Sequence, residues 1–130
     1  MPRKVLKTAV GQRHTSPIPQ GASANGFLFL SAIRGLDVET QKVVADVEGQ
    51  ARQAFKILRE TVEAAGASLD DVVQIAVYMR HLQKHRPTFN RVWEETFGDN
   101  PPARFAVEVT DMGADGDGTL FLLSATVALP

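Results

Sequence analysis

The chain contains no cysteine, which excludes disulfides, thiolate metal sites and a cysteine nucleophile together. It has no excess of positive charge: 14 Lys and Arg stand against 15 Asp and Glu, a net charge of −1, so the basic surface that phosphate backbones require is missing. Nucleic acid is therefore a disfavoured partner, and one Trp with one Tyr offers little for base stacking. No apolar run approaches the roughly 18 residues of a membrane span. Residues Met1 to Val10 carry Arg3, Lys4 and Lys7 without the apolar stretch of a signal peptide, so a cytoplasmic setting is expected. Also missing are a glycine-rich phosphate loop, paired metal-binding cysteines and a Gly-x-Ser-x-Gly turn.

What is present is an ordinary globular composition, 44% hydrophobic and 22% charged, over a length of 130 residues that suits one domain, residues 1–130. Arg3 to Val10 reads as an edge strand. His14 to Ala24, rich in Pro, Ser and Gly, reads as an ordered loop, since Pro17 and Pro19 forbid a central strand. Phe27 to Ile33 reads as a buried strand, and Gly35 to Lys42 as a turn. From Asp46, a plausible N-cap, apolar residues Val47, Ala51, Ala54, Phe55, Leu58, Val62 and Ala65 recur at helical spacing until Gly66. Val72 to Met79 reads as a strand and Arg80 to Lys84 as a polar linker. A second helix is expected with Pro87 in its first turn and Gly98 at its end. Its stripe of Phe89, Val92, Trp93 and Phe97 reads as helix core. Ala103 to Val109 and Leu120 to Leu129 complete the strands, separated by an Asp and Gly turn from Asp111 to Gly118.

The predicted architecture is α+β, with two helices in one layer on one sheet. Strands Phe27 to Ile33, Val72 to Met79 and Leu120 to Leu129 are apolar at odd and even positions alike, whereas a sheet with one solvated face would alternate. Two helices cover one face only, so a homo-oligomer is expected to cover the other.

Few residues invite chemistry. His81 and His85, four apart, lie in the polar linker with no acidic third ligand at helical spacing, so no metal site is expected. Asp111, Asp115 and Asp117 lack the spacing of a calcium loop and read as a hairpin turn. Arg104 opens an apolar strand, where a guanidinium can hold a carboxylate through two parallel hydrogen bonds. A structural ion pair with Glu108 or Glu94 is the competing reading. Glu108 itself reads as structural.

Ser16-Pro-Ile-Pro-Gln-Gly21, Phe29-Leu-Ser-Ala-Ile33, Asp46 to Gln53 with Glu63-Ala-Ala-Gly66, and Pro102-Ala-Arg-Phe-Ala-Val-Glu-Val109 resemble, in order and spacing, the Rid (YjgF-like) family of reactive-intermediate deaminases, part of which is labelled endoribonuclease L-PSP. The resemblance implies a chorismate-mutase-like fold in a homotrimer with ligand clefts between subunits. It implies hydrolysis of 2-imino and 2-enamino acids to 2-keto acids and ammonia, with no metal or organic cofactor. Arg104 matches the arginine that holds the substrate carboxylate; Ser31, Asn90 and Ala106 match further positions of the ligand pocket. Two positions depart. Ile18 stands where deaminases usually carry tyrosine, and Leu122 falls where a final-strand glutamate orients the attacking water. With no carboxylate from Leu120 to Pro130, a non-catalytic carboxylate binder or sensor is the alternative expectation.

Overall fold

In the computed structural model, which describes residues 2–14, 17–112 and 116–130, two helices pack on one face of a seven-stranded sheet. The strands are β1 (Lys4–Leu6), β2 (Gly21–Ala24), β3 (Phe27–Leu30), β4 (Ile33–Arg34), β5 (Val72–Met79), β6 (Ala103–Glu108) and β7 (Phe121–Ala128). The helices are α1 (Val47–Ala64) and α2 (Leu82–Phe97). The sheet order is β1-β2-β3-β7-β5-β6, with β4 paired to β7 beyond the end of β3. Among the described strand pairs only β5 and β6 run parallel; these two neighbours are joined by a crossover through helix α2.

Four sequence expectations require correction. The stretch expected as loop through Ala24 contains strand β2. Its small residues carry little strand propensity, but Asn25-Gly26 closes a two-residue hairpin with φ of 53° and 82°, which aligns β2 on β3 from Gly21↔Leu30 to Ala24↔Phe27. The strand expected from Phe27 to Ile33 is broken at Ser31 and Ala32. Helix α2 starts at Leu82 rather than near Pro87, so only Arg80 and His81 of the expected linker remain outside it. Pro87 sits inside the helix at a position where its missing N–H forgoes a bond to Gln83. The early start is held by Glu108, whose Oε1 accepts from the Leu82 amide at 2.9 Å. The edge strand at the N-terminus is also shorter than expected.

Helix α1 follows the sequence closely. Asp46 Oδ1 accepts from the Gly49 amide at 2.7 Å, and Gly66 lies just past the end with φ +85°. Its buried Gln50 ties the layers together: Nε2 donates to the carbonyls of Val44 and Gly118, and Oε1 accepts from the Leu120 amide. Gly35 lies against this residue so closely that a Cβ would fall 2.2 Å from the Gln50 backbone.

The core lies between helices and sheet. Leu28, Ile75, Val77, Met79, Phe121, Leu123 and Val127 point toward α1 and α2 and are almost fully buried. The opposite, outer face is apolar and open: Phe27, Phe29, Val73, Phe105 and Val107 are each 41–53% exposed. The expectation of a two-faced sheet is met in the side chains themselves.

Candidate functional site

Arg104 stands on edge strand β6 and pairs in register with buried Ile75, so its side chain projects to the helix face. Its guanidinium carbon lies 4.7 Å from the Trp93 ring centroid and 5.6 Å from that of Phe89. Both rings belong to the apolar stripe of α2, so that stripe is core on one side and a cation platform at its rim. Burial, and then the nearby positive charge of Arg86, lower the pKa of Arg104; a guanidinium nonetheless stays charged.

No carboxylate of the chain answers that charge among the described residues. The ion pairs there join Arg34 to Asp117, Arg52 to Glu48 and Glu95, and Arg91 to Glu48. Glu108 is spent on capping α2, and Glu94 is exposed and makes no ion pair. The ion pair with Glu108 or Glu94 expected as the competing reading is therefore not formed. Asn90 shares a helix flank with Arg86 and Trp93 at spacings of four and three, and its Oδ1 is buried without a hydrogen-bond partner. Ala106 lies on the same face of β6, opposite Val77.

Ile18 and Ser31 lie elsewhere. Ile18 is 52% exposed and lines an open pocket of about 520 Å³ together with Gln12, His14 and Pro19. Ser31 Oγ donates to the Pro19 carbonyl at 2.7 Å, which fixes the hydroxyl in the gap between β3 and β4. From β3 to β6 the sheet takes three strand steps, about 14 Å at the usual spacing. Leu122 is on the outer face of β7, between its register partners Arg34 and Tyr78.

The sequence profile described as endoribonuclease L-PSP matches residues 13–117. The chain belongs to the Rid, or endoribonuclease L-PSP, family. A RutC family protein of Pyrococcus horikoshii is 33% identical over 87% of this chain and 90% of its own length. A protein of Dermatophagoides farinae named 2-iminobutanoate/2-iminopropanoate deaminase is 30% identical over 85% of this chain and 87% of its own. The crystal structure of RidA from an Antarctic Psychrobacter superposes with a TM-score of 0.88 at 25% identity, covering 97% of this chain and 99% of that one.

In this Rid chain the six residues singled out from sequence thus occupy three places: Arg104, Asn90 and Ala106 at the β6 edge, Ile18 and Ser31 toward the β1 edge, and Leu122 on the outer face. Sequence reasoning missed the platform under Arg104. The signal was available, since Phe89 and Trp93 are four apart on the helix that follows β5 and β6 is paired to that strand. The two histidines stand edge to face with ring centroids 6.3 Å apart, His81 at the left-handed cap and His85 on the helix. Of the loose aspartate turn, Asp117 binds Thr119 and Arg34, while Asp115 lies outside the described residues. Among the described residues, no helix is long and apolar enough to cross a membrane.

Proposed function

We propose that this Rid protein hydrolyses 2-imino and 2-enamino acids to 2-keto acids and ammonia, with Arg104 binding the substrate carboxylate. The observation that carries this reading is a half-buried guanidinium, set over the rings of Trp93 and Phe89, with no anion beside it among the described residues. A charge placed there is stabilised by a bidentate carboxylate. Clamping the carboxylate leaves the adjacent imine carbon one bond away in a fixed position, which lowers the entropic cost of attack by water. The relative named as an imine deaminase supports the reaction class.

The cleft is formed between subunits of a homotrimer, each chain of residues 1–130 acting as one domain. Ile18 and Ser31 are too far from Arg104 within one chain to share a small ligand with it, and the open apolar outer face supplies the surface for association. A neighbouring subunit would bring its Ile18 and Ser31 to the β6 edge, opposite Arg104, Asn90 and Ala106. The protein works in the cytoplasm without a metal or organic cofactor. A net charge of −1 weighs against RNA as substrate.

One observation favours a second reading, a non-catalytic carboxylate sensor: Leu122, with Arg34 and Tyr78 as its cross-strand neighbours, puts no carboxylate at the position that orients water in deaminases. The readings separate on turnover. With a 2-imino acid generated in situ, wild-type protein is expected to accelerate ammonia release and Arg104→Ala is not. Affinity for a 2-keto acid that depends on Arg104, without ammonia release, would establish the sensor instead.

A further inference from the structure

We propose that His14 is the proton-transfer group of this cleft, doing the work for which β7 offers no carboxylate. The inference rests on the deaminase reading and names a catalytic residue for it. His14 shares one pocket wall with Ile18 and Pro19, and Pro19 is the residue whose carbonyl holds the Ser31 hydroxyl. Gln12, two positions before His14, is anchored. Gln12, 5% exposed, accepts from the Arg34 amide at 2.8 Å through Oε1, and its own carbonyl accepts from Gln20 Nε2 at 3.2 Å. Arg34 is in turn the register partner of Leu122. A chain of strand pairing and hydrogen bonding therefore links Leu122, through Arg34, to Gln12, two positions before the imidazole.

The charged groups around His14 are cationic: Arg34 from β4, and Lys7 and Arg13 from the pocket wall. Asp117, the anion beside Arg34, is bound to Arg34 and Thr119. Burial, and then the charge of Arg34, lower the pKa of His14, so the imidazole is neutral at pH 7 and able to accept a proton.

The step balances without a co-reactant. Water oxygen bonds to the imine carbon, its proton passes to the neutral imidazole, and the imidazolium returns that proton to the imine nitrogen, giving the carbinolamine. The imidazole then takes the hydroxyl proton and delivers it to the amino group. Ammonia leaves, the C=O bond forms, and His14 is neutral again.

The test compares wild-type, His14→Ala and His14→Gln proteins for ammonia release from an in situ 2-imino acid across pH, alongside 2-keto acid affinity. Wild-type activity is expected to rise with pH along an acid limb. Both variants should lose that limb and about 10²-fold in rate, while keto-acid binding persists. Variants that keep both rate and limb, beside an active wild type, overturn the role of His14 and leave the deaminase reading standing. A wild type inactive at every pH overturns both. Oligomers mixed from Arg104→Ala and His14→Ala chains should regain activity in about a quarter of clefts, because each interface draws one residue from each subunit. Folded mixed oligomers with no recovery overturn the shared cleft.

Discussion

The Arg104 guanidinium rests over Trp93 at 4.7 Å, on a core aromatic of α2 that is 9% exposed. The contact orients the cation and replaces part of its lost hydration. Replacing Trp93 by leucine retains apolar bulk but removes the ring face. At about 1 kcal/mol for a partly desolvated cation–π contact, 2-keto acid affinity is expected to fall several-fold, as read by calorimetry. An unchanged dissociation constant would mean that the platform plays no part in binding.

Glu108 should act on stability. Its carboxylate serves the Leu82 amide, one of the free N–H groups at the start of α2, so Glu108→Ala is expected to cost about 1 kcal/mol. For a chain of this size that is a fall in Tm of about 3–5 °C. Thermal unfolding checks it, and Glu108→Gln, which keeps an acceptor, should recover part of the loss.

The outer face predicts the oligomer. Phe29, 53% exposed in the single chain, lies near the middle of that face, and burying an aromatic side chain contributes about 1.5–3 kcal/mol. Phe29→Glu would place a charge in the contact and is expected to convert the assembly to monomers in sedimentation equilibrium. A trimer that survives the change would move the interface elsewhere.

Acid should destabilise the protein through its histidines. His14 and His85 both have pKa values lowered from 6.5 by burial, His14 also by Arg34 and His85 also by Lys84 and His81. Between 6.5 and the lowered folded values the unfolded chain binds more protons than the folded one, so stability falls as pH falls through that window. Denaturant midpoints measured from pH 7.5 to 5 should decline, and less steeply in a variant carrying His14→Gln and His85→Gln. Equal slopes in the two proteins would contradict the shifts.

Much of the fold was legible because burial wrote itself into spacing. Helix α1 carried its cap, its apolar stripe and its stop in the sequence, and the unalternating strands announced a second apolar face. Strand β2 was hidden because Gly, Ala and Ser have weak strand signatures, although Asn25-Gly26 marked the hairpin. The start of α2 was misplaced because its cap comes from Glu108, 26 positions after Leu82, which no local pattern reveals. Arg104 could be found from its motif; that neither Glu108 nor Glu94 answers its charge could not, since both were equally available on paper. His14 drew no notice, being one histidine in a polar stretch until Gln12 and Arg34 fix where that stretch lies.

If Arg104 holds a carboxylate in a cleft that two subunits complete, a crystal structure of the oligomer with a bound 2-keto acid will show it. The ligand carboxylate is expected in bidentate contact with Arg104, with Ile18 and Ser31 of a neighbouring subunit on the opposite wall. An Asp or Glu of that neighbour occupying the Arg104 guanidinium, with the keto acid bound elsewhere or not at all, would contradict it.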